Sequence, residues 1–196
     1  MNHTIAESKE FCSHSADMIK LAAEKGIDIG VAPSYLSLQT VKENAGNMIV
    51  AAQDCHFADH GAYTGFVSIP MIKELGIDWC LVGHSERRLY AAETSLTCNR
   101  KIKALIENKM IVVYCVGESL ADFESGRTKS IVKEQLLIGL MDIAKEDTDK
   151  IVVAYEPVWS IGTGKNASVE IAEDICGYIR KLLADMFGQE KADTIR

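Results

Sequence analysis

Five short, almost wholly apolar runs, spaced along the chain by stretches of helical periodicity, constrain the fold more than any other feature. Residues 29–32, 48–52, 79–83, 111–116 and 151–155 are too continuously hydrophobic for strands that are wet on one face, so each reads as a strand covered on both sides. Between them the period changes to 3.6. Phe11, Met18, Ile19 and Ala22 mark one helical face closed by Gly26, and Ile102, Leu105 and Ile106 mark another. The clearest is the last, where Ala172, Ile175, Ile179, Leu182, Leu183 and Met186 form one stripe with Gly188 at its end. Strand–helix units repeated without hairpin turns imply an α/β fold with a parallel sheet, either doubly wound or closed as a (β/α)8 barrel. Periodicity alone does not choose between the two.

The 28 acidic side chains outnumber the 21 Lys and Arg and leave a net charge of −7, which argues against nucleic acid or an anionic membrane as the main partner. An anionic substrate would need a local positive site. No apolar run approaches the ~20 residues of a membrane span. Cys12, Cys55, Cys80, Cys98, Cys115 and Cys176 include no Cys-x-x-Cys pair and no signal peptide precedes them, so they read as small buried hydrophobes of a reduced, cytoplasmic protein. Asp54, Cys55, His56 and His60 match no zinc spacing, and no metal is expected. The acidic stretch 146–149 reads as a solvated loop.

Glu156 stands at the end of the strand at 151–155, and the helical pattern resumes only at Ser168, so it opens a long strand-to-helix loop. Such loops carry chemistry in α/β barrels. Pro157 stiffens one end and Gly162 and Gly164 free the other, which suits a lid whose glycine N–H groups could hold an anion. His84 ends another strand and directly precedes a helix opening at Ser85 and Glu86. A helix N-terminus disfavours imidazolium, so a neutral ring there could donate a hydrogen bond. Taken singly, both residues are ordinary strand-end groups.

Taken together, YEPVWSIGTGK (155–165) and VGHSERR (82–88) resemble triosephosphate isomerase, and the likeness extends along essentially the whole chain. That family is itself the standard example of a glutamate base paired with a neutral histidine, so those roles come with the resemblance. The resemblance implies a TIM barrel and a small phosphorylated triose substrate, interconverted as an aldose–ketose pair in glycolysis and gluconeogenesis without a cofactor. Glu156 would be the base, His84 the electrophile, and Gly162 the loop glycine whose N–H binds the substrate phosphate. Pro157, Val158, Trp159, Ser160, Ile161, Gly162, Thr163, Gly164 and Lys165 would form the lid, with Trp159 and Ile161 anchoring it by packing. Glu86 matches a carboxylate beside the family's catalytic lysine, Ser85 would cap the helix, and Arg87 and Arg88 would form structural salt bridges. Cys115, in YCVGE, would pack near the catalytic glutamate. The loop 56–66 would enter a partner subunit and make a homodimer, although Phe66 replaces the family's usual glutamate.

The resemblance also implies an incomplete barrel. Met1-Asn2 resembles the pair that follows the Asn-x-Lys of the first strand, and Thr194-Ile195-Arg196 the lead-in to the seventh. Residues 1–196 would then be a single partial TIM-barrel domain of strands two to six and helices one to six, expected to be inactive and poorly soluble alone. A non-catalytic fragment or interaction module is the alternative from another class. A nicotinamide-dependent oxidoreductase is the enzymatic alternative, because Gly162-x-Gly164-x-x-Ala167 with Asp185 matches a dinucleotide fingerprint. Against it, the motif lies beyond the strand instead of at its turn. Gly164-Lys165 fails as a nucleotide phosphate loop, since Trp159 and Asn166 stand where Gly and Ser or Thr belong.

Overall fold

A computed structural model describes residues 2–161 and 166–196. Its elements follow in the order α1 (Ile5–His14), α2 (Ala16–Glu24), β1 (Gly30–Val31), α3 (Leu38–Asn44), β2 (Ile49–Ala52), α4 (Ile69–Glu74), β3 (Trp79–Val82) and α5 (Ser85–Tyr90). Then come α6 (Ser95–Glu107), β4 (Ile111–Val116), α7 (Leu120–Glu124), α8 (Thr128–Gly139), β5 (Ile151–Tyr155), α9 (Val169–Phe187) and α10 (Gln189–Thr194). All five apolar runs form strands.

The sheet order is β1-β2-β3-β4-β5, every pair parallel. A doubly wound sheet reverses its strand order at a switch point, whereas a barrel places each strand beside its sequence neighbour. The order seen is that of the barrel, and the five strands form a curled, incomplete (β/α)8 wall with helices on its outside. Its core lies between strands and helices, where Ile69, Ile72, Ile77, Ile102, Leu105, Leu136 and Leu183 are fully or almost fully enclosed. Strand β4, paired on both edges, buries Val112, Tyr114, Cys115 and Val116, while along β5 residues 152–155 are half-buried. On the outer side of β5, the Val153 N–H donates to the Arg196 carbonyl at 2.8 Å.

Three local expectations change. The face marked by Phe11 to Ala22 belongs to two helices, because Ser15 turns its N–H to the Cys12 carbonyl and its hydroxyl to the Phe11 carbonyl at 2.7 Å. Met18 is left exposed. The acidic stretch lies in a 3-10 helix, Lys145–Lys150, with Thr148 buried and Lys150 Nζ 2.8 Å from Asp147 Oδ1. Cys176 is exposed, while the other five cysteines are buried and free. Among the described residues no helix is long and apolar enough to cross a membrane.

Candidate active site

The end of β3 turns directly into α5 through Gly83 and His84. Gly83 has φ +79°, and a Cβ there would lie 2.9 Å from Arg88 Nη2 and 3.0 Å from the Cys115 carbonyl, so the turn requires glycine. His84 is the N-cap, its Nδ1 accepting the Glu86 N–H at 3.2 Å. A protonated Nδ1 has no lone pair for that bond, so in the ring as placed the proton belongs on Nε2. Nε2 lies 3.2 Å from Glu156 Oε1, and the Ser85 N–H donates to Glu156 Oε2 at 3.1 Å. The turn after β3 therefore occupies both oxygens of a carboxylate that follows β5.

Glu156 is carried by a close approach of backbones. Its N–H donates to the Val116 carbonyl at 2.8 Å, and a Cβ on Gly117 would lie 1.7 Å from the Glu156 carbonyl oxygen. Gln135 secures that glycine from α8, accepting the Gly117 N–H at 2.8 Å and donating to its carbonyl at 2.9 Å. Cys115 lies on β4 between the two strands. Burial, and then the nearby Glu156 carboxylate, push its thiol up, so it is no thiolate nucleophile. A cleft of about 240 Å³ opens beside His84, lined by Ala32, Gln53, Leu81, Glu86 and Arg87. The His84 and Glu156 side chains are 29% and 18% exposed.

Past Glu156, residues Val158–Ser160 form one 3-10 turn and Ser168 caps α9 by accepting the Ile171 N–H. Trp159 is buried, stacked on Phe123 with ring centroids 4.3 Å apart, and its indole N–H donates to Glu118 Oε1 at 2.7 Å. The Tyr155 hydroxyl also donates to Glu118, which is completely buried. Trp159 thus anchors by a hydrogen bond as well as by packing. Ile161 is 46% exposed. Gly162, Thr163, Gly164 and Lys165 lie outside the described residues, and so do the two glycines of the dinucleotide fingerprint. Asp185 is an exposed residue of α9, and the next element is the helix α10, where a dinucleotide fold would place a strand.

Other sequence expectations are redistributed. Ser85 is not the helix cap; the His84 ring is. Glu86 is mainly exposed, its Oε2 4.0 Å from His84 Nδ1. Arg87 pairs with Asp54 at 2.7 Å as a structural salt bridge, whereas Arg88 hydrogen-bonds to the Gly83 and Cys115 carbonyls, Ser95 and the Tyr114 hydroxyl. The group Asp54, Cys55, His56 and His60 separates: Asp54 binds cations, while His56 accepts the Ala58 N–H and lies among the rings of Phe57, Tyr63 and Phe66. Sequence reading missed the buried set Glu93, Lys101 and Asp54. Lys101 Nζ meets Asp54 Oδ1 at 2.6 Å and Glu93 Oε1, and Glu93 Oε2 accepts the Gly83 N–H at 3.0 Å. Burial opposes the Lys101 charge, but the two carboxylates outweigh it and raise its pKa. The available clue was that Lys101 stands beside Cys98, Ile102 and Leu105 on the buried face of α6.

A family model described as Triosephosphate isomerase matches residues 1–196. The chain belongs to the triosephosphate isomerase family. A relative from Clostridium botulinum (strain Langeland), named Triosephosphate isomerase, is 41% identical over all of this chain and 79% of its own. Relatives of the same name from Carboxydothermus hydrogenoformans and Clostridium perfringens (strain SM101) are 40% and 38% identical, over 78% and 79% of their lengths. Membership makes this an isomerase by descent, and its chain spans about four-fifths of those relatives.

Proposed function

We propose that this protein interconverts dihydroxyacetone phosphate and glyceraldehyde 3-phosphate through an enediolate, with Glu156 as base and His84 as electrophile. The observation that carries the reading is the meeting of the Glu156 carboxylate with His84 Nε2 and the Ser85 N–H across two non-neighbouring strands. The isomerisation moves a proton between adjacent carbons, so it requires one base within reach of both carbons and one donor for the carbonyl oxygen. A substrate carbonyl seated in the cleft would take over the Nε2–H now turned to Glu156. The carboxylate would then exchange the Ser85 N–H for the substrate C–H. Such a transfer needs neither metal nor organic cofactor.

Gly162 is assigned to the substrate phosphate, and residues 157–165 to a water-excluding lid, on motif and family alone. A homodimer through the loop 56–66 is supported by Tyr63, Phe66 and Met71, which are 45%, 51% and 58% exposed around a cavity of about 220 Å³. A cytoplasmic location is supported by the five buried free thiols.

The test is a coupled isomerase assay on the protein expressed from its complete gene. Glu156→Asp, which withdraws the carboxylate by one methylene, should lower kcat about 100-fold or more with KM changed only a few-fold. A variant within about twofold of the parent would remove Glu156 from the base position. Residues 1–196 made alone should be inactive and prone to aggregate, because five strands leave the inner wall uncovered. A monodisperse, active species on size exclusion would contradict that expectation.

A further inference from the structure

Gly83 is held at both of its polar atoms by side chains that do not line the cleft beside His84. Glu93 Oε2 accepts its N–H at 3.0 Å, and Arg88 Nε donates to its carbonyl at 2.8 Å. Glu93 is itself immobilised, being only 8% exposed with its other oxygen on Lys101, which is braced by Asp54 at 2.6 Å. Asp54 is braced in turn by Arg87 at 2.7 Å. The chain of contacts therefore leaves the β3 turn at Gly83 and returns to it at α5.

The arrangement matters because of where Gly83 sits. A glycine at φ +79° has the loosest backbone in the turn, and the next two residues supply Nε2 and the Ser85 N–H to Glu156. A rotation about the Gly83 backbone dihedrals would displace both contacts at once. Hydrogen bonds to charged groups are the stronger ones, and here a carboxylate and a guanidinium hold the two peptide groups that flank the Gly83 Cα.

We propose that Glu93, together with Arg88, is a positioning residue that fixes the direction in which His84 enters α5 and so sets the His84–Glu156 geometry. This rests on the reading of His84 and Glu156 as the reacting pair. Neither positioning side chain touches substrate in this account.

The experiment compares Glu93→Ala with Glu93→Gln in the protein from its complete gene, by steady-state kinetics and nitrogen NMR of the His84 ring. Glu93→Ala should lower kcat about tenfold or more with KM within about twofold, since small misplacements of reacting groups are costly. Its His84 signals, in the parent one protonated Nε2 and one unprotonated Nδ1, should become averaged. Glu93→Gln, whose amide oxygen can still accept the Gly83 N–H, should keep kcat within about threefold and keep the two distinct signals. Arg88→Lys is the second variant should Glu93→Ala not fold: it retains the charge, loses the Nε–H, and should shift kcat the same way. Variants that melt earlier but keep the parent's kcat and His84 signals would overturn the proposal and leave the cluster a stabilising device. Equal losses in Glu93→Ala and Glu93→Gln would also overturn it, by assigning the effect to charge. Averaged His84 signals in Glu93→Ala, combined with an undisturbed Glu156→Asp enzyme, would uphold positioning while removing the proposed reaction.

Discussion

The turns after β3 and after β5 meet at one site but are held in opposite ways. After β3 the chain passes from Val82 to α5 through two residues, and both polar atoms of Gly83 are fixed by side chains backed by a buried ionic cluster. After β5 the chain leaves Glu156 on a long excursion that reaches α9 only at Val169, and its near part is anchored through one buried carboxylate, Glu118. Built that way, the position of His84 is over-determined by side-chain contacts to the residue before it, while Glu156 sits at the root of a segment with a single buried anchor. Damage to the first turn should therefore appear in kcat and stability together, and damage to the second mainly in ligand capture.

The sharpest way to break that contrast is Gly83→Ala. Its Cβ would meet Arg88 and the Cys115 carbonyl at a positive φ, so thermal unfolding should show a loss of about 1–3 kcal/mol, with kcat falling as well. An alanine variant as stable and active as the parent would mean the turn is not over-determined. On the other side, Trp159→Phe keeps the stacking on Phe123 but removes the indole donor from Glu118. The cost should be about 1–2 kcal/mol, with KM rising a few-fold and kcat altered less. A fall in kcat alone would place Trp159 with the first turn. The smallest effect concerns Cys115, between the two turns. Because its thiol pKa is raised, the reactive thiolate is scarce at neutral pH and becomes more abundant only as pH climbs toward that raised value. Alkylation followed by mass spectrometry should label exposed Cys176 first, with Cys115 slow even at pH 9.

Much of the scaffold is legible in one dimension because each strand is a continuous apolar run, and burial on both faces demands that pattern wherever it occurs. β1 is shorter than its run because only Gly30 and Val31 pair with β2. Strand order is different: periodicity left two sheets open, and pairing of sequence neighbours decides between them. His84 and Glu156 were visible because each lies inside a long specific motif. Glu118 lay in plain view in YCVGE yet went unassigned, since its partners Tyr155 and Trp159 are 37 and 41 positions away. Glu93 and Lys101 were hidden for the same reason. A buried charge is defined by what faces it, and Asp54 faces Lys101 across 47 positions. Ser85 failed as a cap because the histidine one position earlier already fills that place with its ring nitrogen.

If the Glu156 carboxylate alone moves the proton, isomerisation in heavy water will show it. With the protein from its complete gene, deuterium should enter the carbon next to the substrate carbonyl, because a carboxylate that has taken the proton can exchange it before returning it. In Glu156→Gln that incorporation should fall at least about 100-fold while His84 keeps its protonated Nε2. Deuterium incorporation persisting within about twofold of the parent in Glu156→Gln would contradict the account and assign the proton transfer to another group.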